Sequence, residues 1–200
     1  MPALMTPWGY RVEGGKLPPL AGSYDFELST GGAFDIERAE RAIESASAAV
    51  RSYCGWHVAP ALECTASAGG PGKLICLPTL ALRSVESVTE LGRELSDGEY
   101  EWREDGILRR ACFRQWPSQW KSVEARFVSG FDPEAVDELS QIVTQIVANC
   151  LAASPGVRSE QAGDVSVTFN STGSGISGGV SLTERDRMML EPYRLPTMAG

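Results

Sequence analysis

The chain has 200 residues, 42% hydrophobic and 22% charged, and its 26 acidic against 18 basic side chains leave a formal net charge of −8. That balance fits a globular chain with a real core and disfavours a tight nucleic-acid binder, because phosphate affinity comes from neutralising charge and no cationic run exceeds the Arg109-Arg110 pair. No apolar run approaches the ~20 residues of a membrane span, and the opening MPALMTPWGYRVEGGK lacks the pattern of a secretion signal, so cytoplasmic synthesis and no membrane partner are expected.

Residues 1–32 hold Pro2, Pro7, Pro18 and Pro19 among repeated glycines and read as an extended arm, unable to sustain a helix or a central strand. Trp8, Tyr10, Leu17, Leu20, Tyr24 and Phe26 are too apolar for a solvated tail, so the arm is expected to lie on its own core or on a neighbouring subunit. A helix follows over 35–54, with Asp35 as N-cap and Ile36, Ala39, Ile43, Ala46, Val50 and Tyr53 recurring at helical steps as the buried stripe. Glu37, Arg38, Glu40, Arg41, Glu44 and Arg51 are assigned to its solvated face. Gly55 suits the left-handed position that ends a helix, Trp56 is expected to fold back, and Pro60 launches extended chain.

From 60 to 130 the pattern reads as an antiparallel β-region. Ala61–Ala66 and Lys73–Leu77 are expected to form a hairpin around Ser67–Gly72, which would let Cys64 and Cys76 face each other. Asp105-Gly106 predicts a two-residue hairpin between Tyr100–Arg103 and Ile107–Arg109, and Val123–Val128 adds a further strand. Trp102, Phe113, Trp116, Trp120 and Phe127 are candidates to cover one face. Asp132 as N-cap and Pro133 then open a helix over 132–153 with an apolar stripe from Val136 to Leu151. A strand over 164–169, a Gly/Ser loop over 170–179 and a terminal helix within Leu182–Leu195, capped by Thr183, complete the chain. The expected class is α+β: an antiparallel helix pair or small bundle with an inserted antiparallel β-region and a short C-terminal helix. Its expected divisions are an arm (1–32), a core (33–169) and a loop with the terminal helix (170–200).

Chemistry is sparse. His57 is the single histidine, which excludes a multi-His metal site, and Cys54 three residues earlier is expected to pack beside it in the turn, not to act as a nucleophile. Five cysteines without a C-x-x-C pair argue against zinc and against a disulfide framework. Gly69–Lys73 fails as a phosphate loop, because Leu74 stands where a Ser or Thr would bind magnesium. The acidic pairs Asp97/Glu99 and Glu104/Asp105 fit turns better than calcium or glycosidase sites. No catalytic residue, metal or cofactor is expected. A β-rich module recognising carbohydrate through Trp102, Trp116 and Trp120 is the alternative from a different class.

Tyr53-Cys54-Gly55-Trp56-His57-Val58, then Pro60, Leu77-Pro78-Thr79 and Val85-Glu86-Ser87-Val88, together with Ser159, Glu160, Gly163 and Asp164, resemble the head-to-tail connector (adaptor) proteins of tailed bacteriophages. The likeness runs from about Leu17 to Leu195. It implies a non-enzymatic virion protein of the neck, made in the host cytoplasm. Such a protein forms a homo-oligomeric ring, commonly a dodecamer, that docks on the portal and extends the DNA channel towards the stopper or tail-completion protein, with DNA passing through unread. A stopper or tail-completion role is the near alternative. In that setting Leu17, Leu20, Tyr24 and Phe26 of the arm, and Leu182, Met189, Leu190, Tyr193 and Leu195 of the terminal segment, are the expected oligomer or portal contacts.

Overall fold

A computed structural model describes residues 3–22, 36–69, 72–112, 114–152, 159–162, 165–168 and 180–196. Asp35, Tyr24, Phe26, Phe113, Gly163 and the 170–179 loop lie outside the described residues. The fold is α+β with antiparallel sheets, and the chain forms two compact units: Met1–Pro18 with Cys54–Ala135 and Tyr193–Gly200, and Pro19–Tyr53 with Val136–Pro192.

The first unit is built on β-strands. β1 (Leu4–Met5), β2 (Tyr10–Val12), β3 (Leu62–Ala68), β5 (Leu82–Glu90), β6 (Arg93–Glu94) and β9 (Val123–Ser129) make one sheet in the order β1-β2-β3-β9-β5-β6. β4 (Leu74–Cys76), β7 (Tyr100–Trp102) and β8 (Ile107–Arg110) make a second, in the order β4-β8-β7. Along β9, Val123, Ala125 and Phe127 point inward and Glu124 and Arg126 outward, the period-two pattern of a half-buried strand. These residues meet Tyr10, Val12, Cys64, Ala66 and Val88 from the large sheet and Ile75, Tyr100 and Leu108 from the small one in a single core.

Two expectations are corrected here. The first residues do more than lie on a surface, since β2 adds to β3 through Tyr10↔Ala66, Arg11↔Thr65 and Val12↔Cys64, and Tyr10 and Val12 are buried. The prolines flank these strands and so leave the ladder groups of Tyr10–Val12 available. Nor do the segments on either side of Ser67–Gly72 form a hairpin. All seven residues of β3 pair with β9, whereas β4 pairs with β8 in the other sheet, so the longer ladder formed with a distant strand wins over the local one. Cys64 is therefore buried in one sheet, Cys76 is exposed on the other, and all five cysteines are free.

The hairpin at Asp105-Gly106 forms, with a three-residue loop in place of two. Arg103 N–H donates to Ile107 O at 2.9 Å and Gly106 N–H to Arg103 O at 3.0 Å, with Gly106 at φ +82°.

The second unit is mainly helical: α1 (Ile36–Cys54) apart from its last residue, α2 (Asp137–Ala152), α3 (Glu184–Leu190), and a hairpin of β10 (Ser159–Ala162) with β11 (Val165–Thr168). Ala39, Ile43, Ala46 and Val50 of α1 and Leu139, Ile142, Val143, Ile146 and Val147 of α2 are buried. Two α1 assignments change. Arg51 is buried because it continues the row through Ser47, and Ile36 is exposed at the first turn. Ser47 Oγ accepts from Leu20 N–H at 3.0 Å. Asp132 does not cap α2 directly: a 3-10 turn at Pro133–Val136 intervenes, and the Asp132 carboxylate pairs with Arg83 at 2.8 Å. Thr183 does cap α3, its hydroxyl accepting from Asp186 N–H at 3.2 Å while the Asp186 carboxylate accepts from Thr183 N–H at 2.8 Å.

Candidate functional site

The turn after α1 gathers residues from four parts of the first unit. Gly55 takes φ +80° and ends the helix; Leu195 lies 3.7 Å from where a Cβ would stand. Trp56 is buried, its Nε1–H donating to Tyr193 O at 2.8 Å and its ring meeting Phe131 edge-on at 5.7 Å. Leu195 N–H donates to Cys54 O at 2.8 Å. Trp8, Tyr10, His57, Trp56, Phe131 and Tyr193 form a continuous series of ring contacts with centroids 5.5–6.1 Å apart.

His57 sits fully buried at its centre. The Ser129 carbonyl, 2.9 Å from Nε2, can only accept, so Nε2 carries the proton. Nδ1 is then the acceptor for the Tyr10 hydroxyl at 2.7 Å, while that same oxygen accepts His57 N–H at 3.0 Å. Both ring nitrogens are thus committed to holding β2, the turn and the end of β9 together. Val58 follows at φ +65°, in a turn closed by Ala59 N–H on His57 O at 2.8 Å, and its carbonyl takes Phe131 N–H at 2.8 Å. A β-branched residue in that region is strained by about 1–3 kcal/mol, which the surrounding contacts must hold. Pro60, after a cis peptide, faces Gly130 at φ +121°: a Cβ there would stand 2.9 Å from His57 Nε2 and nearer still to the Pro60 carbonyl.

This arrangement positions backbone, tying β2, the turn and the end of β9 to one imidazole. Cys54 is buried beneath the turn, and burial pushes the Cys64 thiol up to about 11 against the opposing pull of the Ser129 hydroxyl. Among the described residues no group of three or more His, Cys, Asp or Glu side chains comes together as metal ligands, and no helix is long and apolar enough to cross a membrane.

Surface contacts are the other candidate function. Leu17 is packed against the β core, Leu190 is fully buried, and Tyr193 and Leu195 are engaged by the Trp56 turn. Leu20 and Leu182 are half-buried. Met189 is 44% exposed and its neighbour Met188, absent from the expected set, 72%. The three-tryptophan platform does not exist as such: Trp116 is in the core under Arg110, 5.7 Å above its ring, while Trp102 and Trp120 are exposed. Glu160 lies opposite Val167 in the β10–β11 ladder.

Sequence reasoning found the turn but missed Tyr10, Ser129 and Gly130 as its other walls. The last carried a legible signal, a glycine directly after a strand. The first two are ordinary strand residues whose roles depend on sheet order.

No family model and no curated protein matches the sequence. Solved structures do share its fold. A chain from the neck of an empty gene transfer agent particle, computed with C6 symmetry, aligns with a TM-score of 0.61 at 15% identity over 100% of this chain and 98% of that one. A chain from the neck of the native particle, computed with C12 symmetry, gives 0.55 at 14% over 100% and 98%. One from the virion of the native particle gives 0.61 at 12% over 96% and 97%. At such identities the likeness is one of fold, and it runs from end to end.

Proposed function

We propose that this chain is a structural subunit of the neck of a phage-like particle: a head-to-tail connector adaptor whose copies close into a ring, dock on the portal and carry the DNA channel towards the tail. The observation that supports this most is the end-to-end fold match with a neck chain, at a TM-score of 0.61 over 100% of this sequence. The C6 and C12 symmetries of the neighbouring structures support a ring. A histidine spent on holding strands together and cysteines that are buried or isolated fit a non-catalytic role. A net charge of −8 suits a wall past which DNA slides without sticking. Within the second unit we read α1 and α2, with their alanine-rich and aliphatic stripes, as an antiparallel pair.

Negative-stain imaging of the purified chain, alone and mixed with portal, tests the proposal. Rings stacked coaxially on the portal are the expected result. Rings that bind only once another neck protein is present would move the chain to the stopper or tail-completion position, and a monomer indifferent to portal would overturn the reading.

A further inference from the structure

β10 and β11 pair with each other from Ser159↔Thr168 to Ala162↔Val165, and no third strand joins them among the described residues. A hairpin of two short strands is marginal in water by itself, and a sheet gains independent stability only with further strands or a packed face. Both outer edges are open. Each presents N–H and C=O groups that can template another strand.

The other open edges of this chain are guarded. In the large sheet β6 is Arg93-Glu94, both charged, and β1 is two residues long, between Pro2 and Pro7 in the sequence. In the small sheet β7 carries Glu101, and β4 is three residues long with Lys73 before it and Pro78 soon after. Charge, proline and brevity are the devices by which proteins keep edges from pairing. β11 lacks them: Val165-Ser166-Val167-Thr168 is longer than any of those four strands, uncharged, and β-branched at three positions. Its partner β10 carries one charge, Glu160.

An unguarded edge fits a chain that pairs there by design, and symmetry selects the partner. A contact of β11 on β11 would be two-fold and stop at a dimer, whereas a contact between unlike edges repeats around a ring. β11 against β10 of the next copy also preserves the antiparallel alternation from strand to strand. Repeating the hairpin's own register would set Ser166 opposite Gln161, and Val167 opposite Glu160, of the neighbour, so no two charges meet.

We propose that the outer edge of β11 pairs with the outer edge of β10 in the neighbouring copy, so that the hairpins of a ring join into one closed antiparallel barrel. Closure removes every edge that the separate hairpins leave open. The proposal rests on the ring reading above and assigns one of its subunit contacts.

Two measurements on the full-length chain test it. With Cys76→Ser and Cys112→Ser removing the exposed thiols, chains carrying Gln161→Cys are mixed with chains carrying Ser166→Cys before assembly and then mildly oxidised. The mixture should give disulfide-linked dimers on a non-reducing gel, and either variant alone should give none, because like positions lie two strands apart, beyond disulfide reach. Amide hydrogen exchange over Val165–Thr168 in wild-type rings should be at least about tenfold slower than in the dissociated subunit. Rings that show neither the dimer nor the slowed exchange would overturn the edge pairing and leave the ring standing. Slowing that appears only once portal is added would also overturn it, by giving the edge to a portal strand. A wild-type chain that stays monomeric even on portal would remove the ring and the pairing together.

Discussion

Both ring nitrogens of His57 sit within 2.9 Å of a partner, and one of those partners, the Tyr10 hydroxyl, also receives the His57 backbone N–H. Tyr10→Phe would leave a buried imidazole nitrogen and a buried amide without that oxygen, a loss of about 2 kcal/mol and about 5 °C in melting temperature. Thermal unfolding followed by tryptophan fluorescence checks this, and an unchanged melt would show that the network does not hold the turn. Glu99 offers a different test. The Arg93 guanidinium, and after it the Ser96 N–H, hold its carboxyl down at about 2 from an ordinary 4.5. A depressed carboxyl stabilises the folded state fully above its unfolded value and loses that contribution as pH falls from about 4.5 through about 2. Glu99→Gln should therefore flatten the melting temperature between those limits and leave its shape near neutrality unchanged; melts across a pH series read the difference. Arg51 shows where residue-level reading stops: a cation on a helix is assigned to water by its charge, yet its place in the row through Ser47 buries it.

At the scale of elements, the signals that could be read from sequence were local ones. The apolar periodicity of α1 and α2, the Thr183 cap and the Asp105-Gly106 turn each depend on neighbours a few residues away, and each appears in the structure near its expected bounds. Pairings between distant segments were not legible. Nothing in Leu62–Ala68 announces that its ladder partners are Val123–Ser129 and Tyr10–Val12 in place of the adjacent Leu74–Cys76. Two glycines measure how tightly the hairpin tip is seated. Gly106 and Gly92 share φ +82°, but a Cβ at Gly106 would stand 2.6 Å from Thr79 O and 3.0 Å from Leu77 O, whereas one at Gly92 meets nothing within 4 Å. Gly92→Ala should lose about 1 kcal/mol from backbone strain alone, and Gly106→Ala at least about 2 kcal/mol more. Urea unfolding of the two variants gives the comparison, and equal losses would mean the tip is free to move.

For the molecule as a whole, the terminal segment contributes to both compact units. Tyr193 and Leu195 complete the Trp56 turn of their own chain, while Met188 and Met189 face outward. Removing everything after Leu190 should therefore loosen the β unit, with a lower melting temperature and a red-shifted Trp emission, in addition to any effect on assembly. A truncated chain with wild-type unfolding would refute the structural role of the segment.

The series of rings around His57 begins near one end of the chain with Trp8 and finishes near the other with Tyr193. During synthesis the ribosome must therefore deliver the chain as far as Tyr193 before the early strands find their last neighbour. A nascent chain that has not yet reached Tyr193 would lack that closing piece, and the turn around His57 would stand open until it arrives.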